Sequence, residues 1–168
     1  LAARAAVFTV SDSAAGGRRA DRSGPALADF LRTRLGADVV EQKVLPDEPR
    51  KISEAVTKAC SSGISLVVLT GGTGVAPRDR TPEAVRQVVE FEIPGLAEKM
   101  RAETGKEFPA AFLSRQVIGA RGSSLILALP GSPKGALDCL AAVAALVPHA
   151  LELLSGERPA HPRHPDKS

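Results

Sequence analysis

Asp47 and Asp79 each stand just behind an apolar, strand-like run, the first in LPDE (45–48) and the second at the end of TGGTGVAPRD (70–79). Two carboxylates at neighbouring strand ends can share one Mg2+, an ion that takes one or two protein carboxylates and fills its other places with phosphate oxygens and water. Metal charge on phosphates, with backbone donors around them, is the equipment of nucleotidyl transfer. The structural alternatives are a turn aspartate in PDEP and a helix-capping aspartate before Thr81. Gly71, Gly72 and Gly74 suit the donor role, because glycine admits positive φ and lets amide N–H groups approach an anion. The loop is not a P-loop, since no Gly-Lys-Ser/Thr follows at the required spacing. Nor is it GxGxxG, since Gly72-Thr73-Gly74 runs on into Val75, Ala76 and Pro77.

Other residues join this set with two readings each. Asp12 and Asp21, in the first loop, are either further ligands or Asx-turn residues. Lys134 in PGSPKG precedes an apolar helix that Ser132 can cap; it either meets a phosphate at the helix N-terminus or is a solvated surface lysine. Ser114 and Arg115 in LSRQV precede a strand, and Arg115 can fork onto an anion or onto a structural carboxylate. His149 reads as a surface helix residue, and His161 and His164 form at best a poor, flexible metal site.

The elements that must position these residues alternate. AAVFTV (5–10) is a buried strand, and PALADFLRTRL a helix with Ser23 as cap and Gly36 as stop. DVVEQKVL is a second strand, RKISEAVTKAC an amphipathic helix ending near Gly63, and ISLVVL a third strand, apolar throughout as expected of one covered on both faces. TPEAVRQVVEF is expected as a helix with Thr81 as N-cap and Pro82 at N1, and PGLAEKMRAET as another. QVIGA and SLILAL are short strands spaced for an antiparallel hairpin near 116–129. ALDCLAAVAALVPHALELL is a long core helix that Pro148 bends or splits. This is the β-α-β rhythm of a parallel α/β sheet with helices on both faces, a three-layer fold. In such sheets ligands bind outside the carboxyl ends of the strands. SDS (11–13), LPDE (45–48), TGGTGVAPRD (70–79) and LPGSPKG (129–135) all fall there, so they are expected to line one pocket.

The 168 residues suit one domain, expected over 5–155, with a polar, proline-rich and disordered tail over 156–168. With 43% apolar residues but no Trp or Tyr, the core is expected to be aliphatic. The formal charge of +3 is too small to argue for nucleic acid. No apolar run reaches the roughly 20 residues of a membrane span, and the N-terminus leads into a strand rather than a cleavage site. Cys60 and Cys139 fit neither a metal nor a redox spacing and lie in helical apolar patterns, so reduced thiols and a cytoplasmic location are expected.

The segments TVSDS, DRSG, LPDE, TGGTGVAPRDRTPEA, PGLAEKMR, LSRQV and LPGSPKG, in this order, resemble the molybdenum cofactor biosynthesis proteins of the MogA/MoaB type, the module that also forms the G domain of gephyrin. The resemblance runs from about Val7 to Leu154. It implies the family's parallel α/β fold, a homotrimer, and molybdopterin adenylyl transfer: AMP moves from Mg-ATP to the terminal phosphate of molybdopterin, and a MoeA-type partner then inserts molybdate. It implies that Asp47 and Asp79 are the two essential acids. Ser11 and Asp21 match nucleotide-site positions, and Ser114 matches a serine on the pterin-phosphate side. Gly71, Gly72, Gly74, Gly131, Ser132 and Lys134 lie in the matching binding loops. Arg80 stands where Val is common. Two other readings compete: a catalytically weak molybdopterin-binding or scaffold relative, and a nucleotide-binding oxidoreductase, against which the missing GxGxxG counts.

Overall fold

In a computed structural model of the chain, which describes residues 2–156, six strands form one sheet in the order β2-β1-β3-β6-β5-β4. The four strands β1 (Arg4–Val10), β2 (Asp38–Leu45), β3 (Leu66–Thr70) and β6 (Ser124–Leu129) run parallel. β5 (Ile118–Arg121) pairs antiparallel with β6 as the expected hairpin, and β4 (Phe91–Glu92) adds an antiparallel edge. The expected disordered tail lies outside the described residues, apart from Gly156.

Period-two alternation divides the core. Beyond the one-turn α1 (Asp12–Ala15) of the first loop, Ala5, Val7, Leu66, Val68, Leu125 and Leu127 face α2 (Ser23–Leu35), α5 (Pro94–Thr104), α6 (Pro133–Val143) and α7 (Val147–Ser155). Their neighbours Ala6, Phe8, Val67, Leu69, Ile126 and Ala128 face α3 (Pro49–Ser61) and α4 (Thr81–Arg86). A strand covered on both faces is buried along its whole length, as β3 and β6 are, and each is apolar except at one end, at Thr70 and Ser124. The core is not purely aliphatic: Phe8 and Met100 are fully buried within it.

Three local expectations are corrected. Ser23 is not the N-cap of α2 but its first residue; Arg22 holds the cap position without a side-chain cap bond, and the Gly24 N–H is accepted by Asp21 Oδ1 at 3.0 Å. Thr81 is not the N-cap of α4; Arg80 holds that place, and the buried Thr81 hydroxyl donates instead to the Gly71 carbonyl at 2.8 Å. α4 is also shorter than TPEAVRQVVEF, because Glu90 N–H and Ile93 N–H turn away to pair with Ala120 and Ile118 carbonyls of β5. Pro148 lies in the first turn of α7, and α6 and α7 meet at 64°. No single helix among the described residues is long and apolar enough to cross a membrane.

Register brings the candidate loops together. Val10 pairs with Leu45, Thr9 with Thr70, and Thr70 with Leu129, so the four parallel strands end at one edge of the sheet. Because β2 and β3 lie on opposite sides of β1, the strand order reverses between β1 and β3, the place where open α/β sheets form their crevice.

Candidate active site

The crevice holds two adjoining clefts. One, of about 360 Å³, is lined by Ser11, Asp21, Asp47, Gly71, Gly72, Asp79, Gly131 and Ser132, together with Thr9, Thr70, Arg19 and Arg22. All four strand-end loops therefore line one pocket. The other, of about 1100 Å³, is lined by Gly74, Ser114 and Lys134 and by the apolar side chains of Val75, Phe108 and Leu113. Gly72, Asp79, Gly131 and Ser132 border both.

Tethers from the strand ends set this shape. Thr70 Oγ1 donates to the Pro130 carbonyl at 2.6 Å, Gly71 N–H to the Leu129 carbonyl at 3.0 Å, and Ser11 N–H to the Leu45 carbonyl at 2.9 Å. Thr9 Oγ1 donates to Asp21 Oδ2 at 2.8 Å, so both Asp21 oxygens are engaged, one on β1 and one on the start of α2. Of the two sequence readings of Asp21, the local one describes these contacts. Gly71 and Gly72 have φ of 108° and 63°, which other residues rarely adopt.

Asp47 is half-buried at the head of α3. Its Oδ2 accepts the Asp12 N–H at 2.9 Å, while no hydrogen bond among the described residues reaches Oδ1, which lies beside Gly72. Burial pushes its carboxyl above the ordinary range, the Asp12 N–H draws it back, and the negative charges of Asp12 and Asp79 push it up again. Asp79 resembles it in one respect: Oδ2 accepts the Ala76 N–H at 2.9 Å and Oδ1 has no hydrogen bond among the described residues. Each aspartate thus has one oxygen committed to backbone and one left over. A Mg2+ completed by phosphate and water needs that donor set. The described residues contain no group of three or more metal-ligating side chains that would form an all-protein cage.

Asp12 and Arg115 line neither cleft. Asp12 is held by Asp47 and by the Arg78 guanidinium, and the Asp47 N–H draws its carboxyl below the ordinary range. Arg115 takes the structural branch of its two readings: it pairs with Glu83 and donates to loop carbonyls. Ser114 Oγ lies 3.4 Å from Thr73 Oγ1 at the larger cleft. Lys134 sits on the rim, highly exposed, with Nζ 2.6 Å from Asp138 Oδ2, a partner that raises its pKa. Ser132 caps α6 as expected, accepting the Gly135 N–H. Cys60 and Cys139 are free thiols, both pushed up by burial, and His149 lies on α7 facing Glu152. His161 and His164 lie outside the described residues.

Sequence reasoning missed Arg19 and Arg22, which line the smaller cleft without an ion-pair partner among the described residues. The signal was present: GGRRADR puts three arginines into a loop already assigned to a strand end. It also missed the apolar wall of Val75, Phe108 and Leu113, each 60–66% exposed.

The family described as "Probable molybdopterin binding domain" matches residues 6–149. The chain belongs to this family. A molybdopterin adenylyltransferase of Helicobacter pylori J99 is 40% identical over 152 residues, covering 89% of this chain and 86% of the relative. The molybdenum cofactor biosynthesis bifunctional protein of Synechococcus elongatus is 39% identical over 90% of the chain, but the chain spans only 47% of that protein's length. Among solved structures, the molybdopterin biosynthesis enzyme MoaB of Thermus thermophilus superposes with a TM-score of 0.85 at 45% identity, covering 91% of this chain and 96% of that one. A MogA structure gives 0.86 at 38% identity over 90% and 99%. The sheet is therefore that of the MogA/MoaB members of the molybdopterin-binding family, and the relatives named above are proteins of molybdenum cofactor biosynthesis.

Proposed function

We propose that the chain is a molybdopterin adenylyltransferase, moving AMP from ATP to the terminal phosphate of molybdopterin with release of pyrophosphate. The observation that carries this reading is the pair Asp47 and Asp79, each with an uncommitted oxygen, in the smaller of two clefts that meet at Asp79. Relatives named for the activity, at 36–40% identity, support it. Two adjoining clefts suit a reaction that joins two phosphate-bearing substrates end to end.

The chain's own residues bind and orient. Asp47 and Asp79 would hold Mg2+, which when bound supplies positive charge against the triphosphate. Gly71 and Gly72, both at positive φ, line the smaller cleft, and Arg19 and Arg22 add positive charge at its wall. Ser114 and Lys134 line the larger cleft, where they would meet the pterin's phosphate. The protein's contribution is alignment of the attacking phosphate oxygen with the α-phosphorus and neutralisation of the leaving pyrophosphate. We further propose a homotrimer, acting in the cytoplasm and handing its product to a MoeA-type molybdate-insertion protein.

The test is pyrophosphate release from Mg-ATP with molybdopterin present. Release in step with adenylylated product supports the transferase. Tight molybdopterin binding without release would leave a binding or scaffold relative.

A further inference from the structure

We propose that Arg115 is a positioning residue for Asp79, acting with Glu83 as a bracket across the glycine loop rather than as a contact to substrate. Arg115 grips the loop at both ends. Its backbone N–H donates to the Thr73 carbonyl at 2.7 Å and its Nε to the Gly74 carbonyl at 2.8 Å. Its Nη2 donates to the Asp79 carbonyl at 2.6 Å, and Nη1 donates to Glu83 Oε1, in the first turn of α4. The segment between, from Gly74 to Asp79, has a further cross-brace of its own, where Ala76 and Asp79 exchange two hydrogen bonds. One planar guanidinium thus sets the distance from Gly74 to Asp79 and ties both to α4.

The geometry separates this role from phosphate binding. A guanidinium offers five N–H donors in a fixed fork, and all three nitrogens of Arg115 are engaged with protein. The side chain lines neither cleft. Glu83 depends on it: Oε2 is buried with no hydrogen-bond partner among the described residues, and the Arg115 contact is what holds the carboxyl below the ordinary range. Lysine cannot replace the bracket, because a single ammonium has no fork to span two carbonyls and a carboxylate.

The catalytic half of the proposal rests on the adenylyl-transfer reading; the loop half does not. The experiment compares wild type with Arg115→Lys and Glu83→Gln, below their melting temperatures, by amide hydrogen exchange over residues 73–80 and by steady-state AMP transfer. Arg115→Lys is expected to speed exchange in that loop and to lower kcat by about tenfold or more, since a misplacement of about 1 Å can cost up to about a hundredfold in rate. KM for molybdopterin is expected to change by less than about twofold, as uniform binding is untouched. Glu83→Gln is expected to move both readouts in the same direction and less far. Unchanged loop exchange in Arg115→Lys would overturn the proposal. So would a raised KM with unchanged kcat, which would make Arg115 a substrate contact. A wild-type protein that transfers no AMP, with Arg115→Lys still loosening the loop, would remove the transferase reading and leave the bracket standing.

Discussion

Asp12 and Asp47, 35 residues apart, hold each other's backbone: Asp12 N–H donates to Asp47 Oδ2 and Asp47 N–H to Asp12 Oδ1, each at 2.9 Å. The Arg78 guanidinium closes on the far oxygen of Asp12, so a residue of the glycine loop braces the turn that carries Asp47. The first loop, the LPDE turn and the glycine loop are thereby tied at one point beside the smaller cleft.

This clasp separates two roles for Asp12. Asp12→Asn keeps both backbone bonds, because an amide oxygen still accepts and the residue's own N–H still donates. Asp12→Ala loses the acceptor for Asp47 N–H. The expectation is near-normal melting and turnover for Asn, and for Ala a lower melting temperature with turnover reduced by about tenfold. Equal damage from both, read by thermal melts and AMP transfer, would mean that the Asp12 charge, which pairs with Arg78, matters more than its acceptor for the Asp47 N–H.

Asp47→Asn and Asp79→Asn each remove one negative charge from the proposed metal shell at almost constant shape. Turnover is expected to fall by at least about a hundredfold in each, equivalent to about 2.7 kcal/mol of barrier. Stability behaves differently at Asp47. Burial raises its folded-state pKa above the ordinary 3.8, so the folded protein holds that proton more tightly than the unfolded chain. Its contribution therefore falls as pH rises from 3.8 through the folded value, and the charged form is the less favourable one at neutral pH. Asp47→Asn should melt no lower than wild type at pH 7, and a large loss of stability with normal turnover would make the aspartate architectural.

Glu83 carries the opposite sign. Its hydrogen bond to Arg115 lowers the folded-state pKa below the ordinary 4.5. Its stabilisation is complete above 4.5 and is lost as pH falls through the folded value. Melting temperatures taken from pH 6 downward should therefore drop more steeply in wild type than in Glu83→Gln. Parallel curves would show that the pair contributes nothing to the acid limb.

The sequence was legible where a pattern is local or repeated. Short, near-continuous apolar runs in AAVFTV and SLILAL pointed to buried strands with residues on both faces, and the strand-end rule brought Ser11, Asp47, Gly72 and Ser132 to one cleft. It failed where one side chain had two possible partners. Thr81 has the residue type and place of a cap, yet its hydroxyl goes to Gly71, a contact set by how β3 meets α4. Arg115 and Asp12 face partners 32 and 35 residues away, and no spacing announces either. Arg19 and Arg22 went unread because charges in a polar loop look solvated until a cleft opens beside them.

Gly72→Ala tests whether the glycine loop serves the site or only turns the chain. Gly72 has φ of 63°, where a non-glycine residue costs about 1–2 kcal/mol. A Cβ there would also stand 2.5 Å from Thr81 Oγ1 and 3.0 Å from Asp47 Oδ1, pressing on the Thr81–Gly71 tether and on the uncommitted oxygen of Asp47. Gly122, in the β5–β6 hairpin, has φ of 53° and open space where its Cβ would be, so Gly122→Ala carries the backbone cost alone. Gly122→Ala should lose about 1–2 kcal/mol in denaturant melts and keep its turnover. Gly72→Ala should lose more stability than that and, at temperatures where both variants are folded, about tenfold or more in turnover, because the Asp47 oxygen is displaced. Equal turnover in the two variants would show that Gly72 is needed for the turn and that the position of Asp47 Oδ1 does not set the rate.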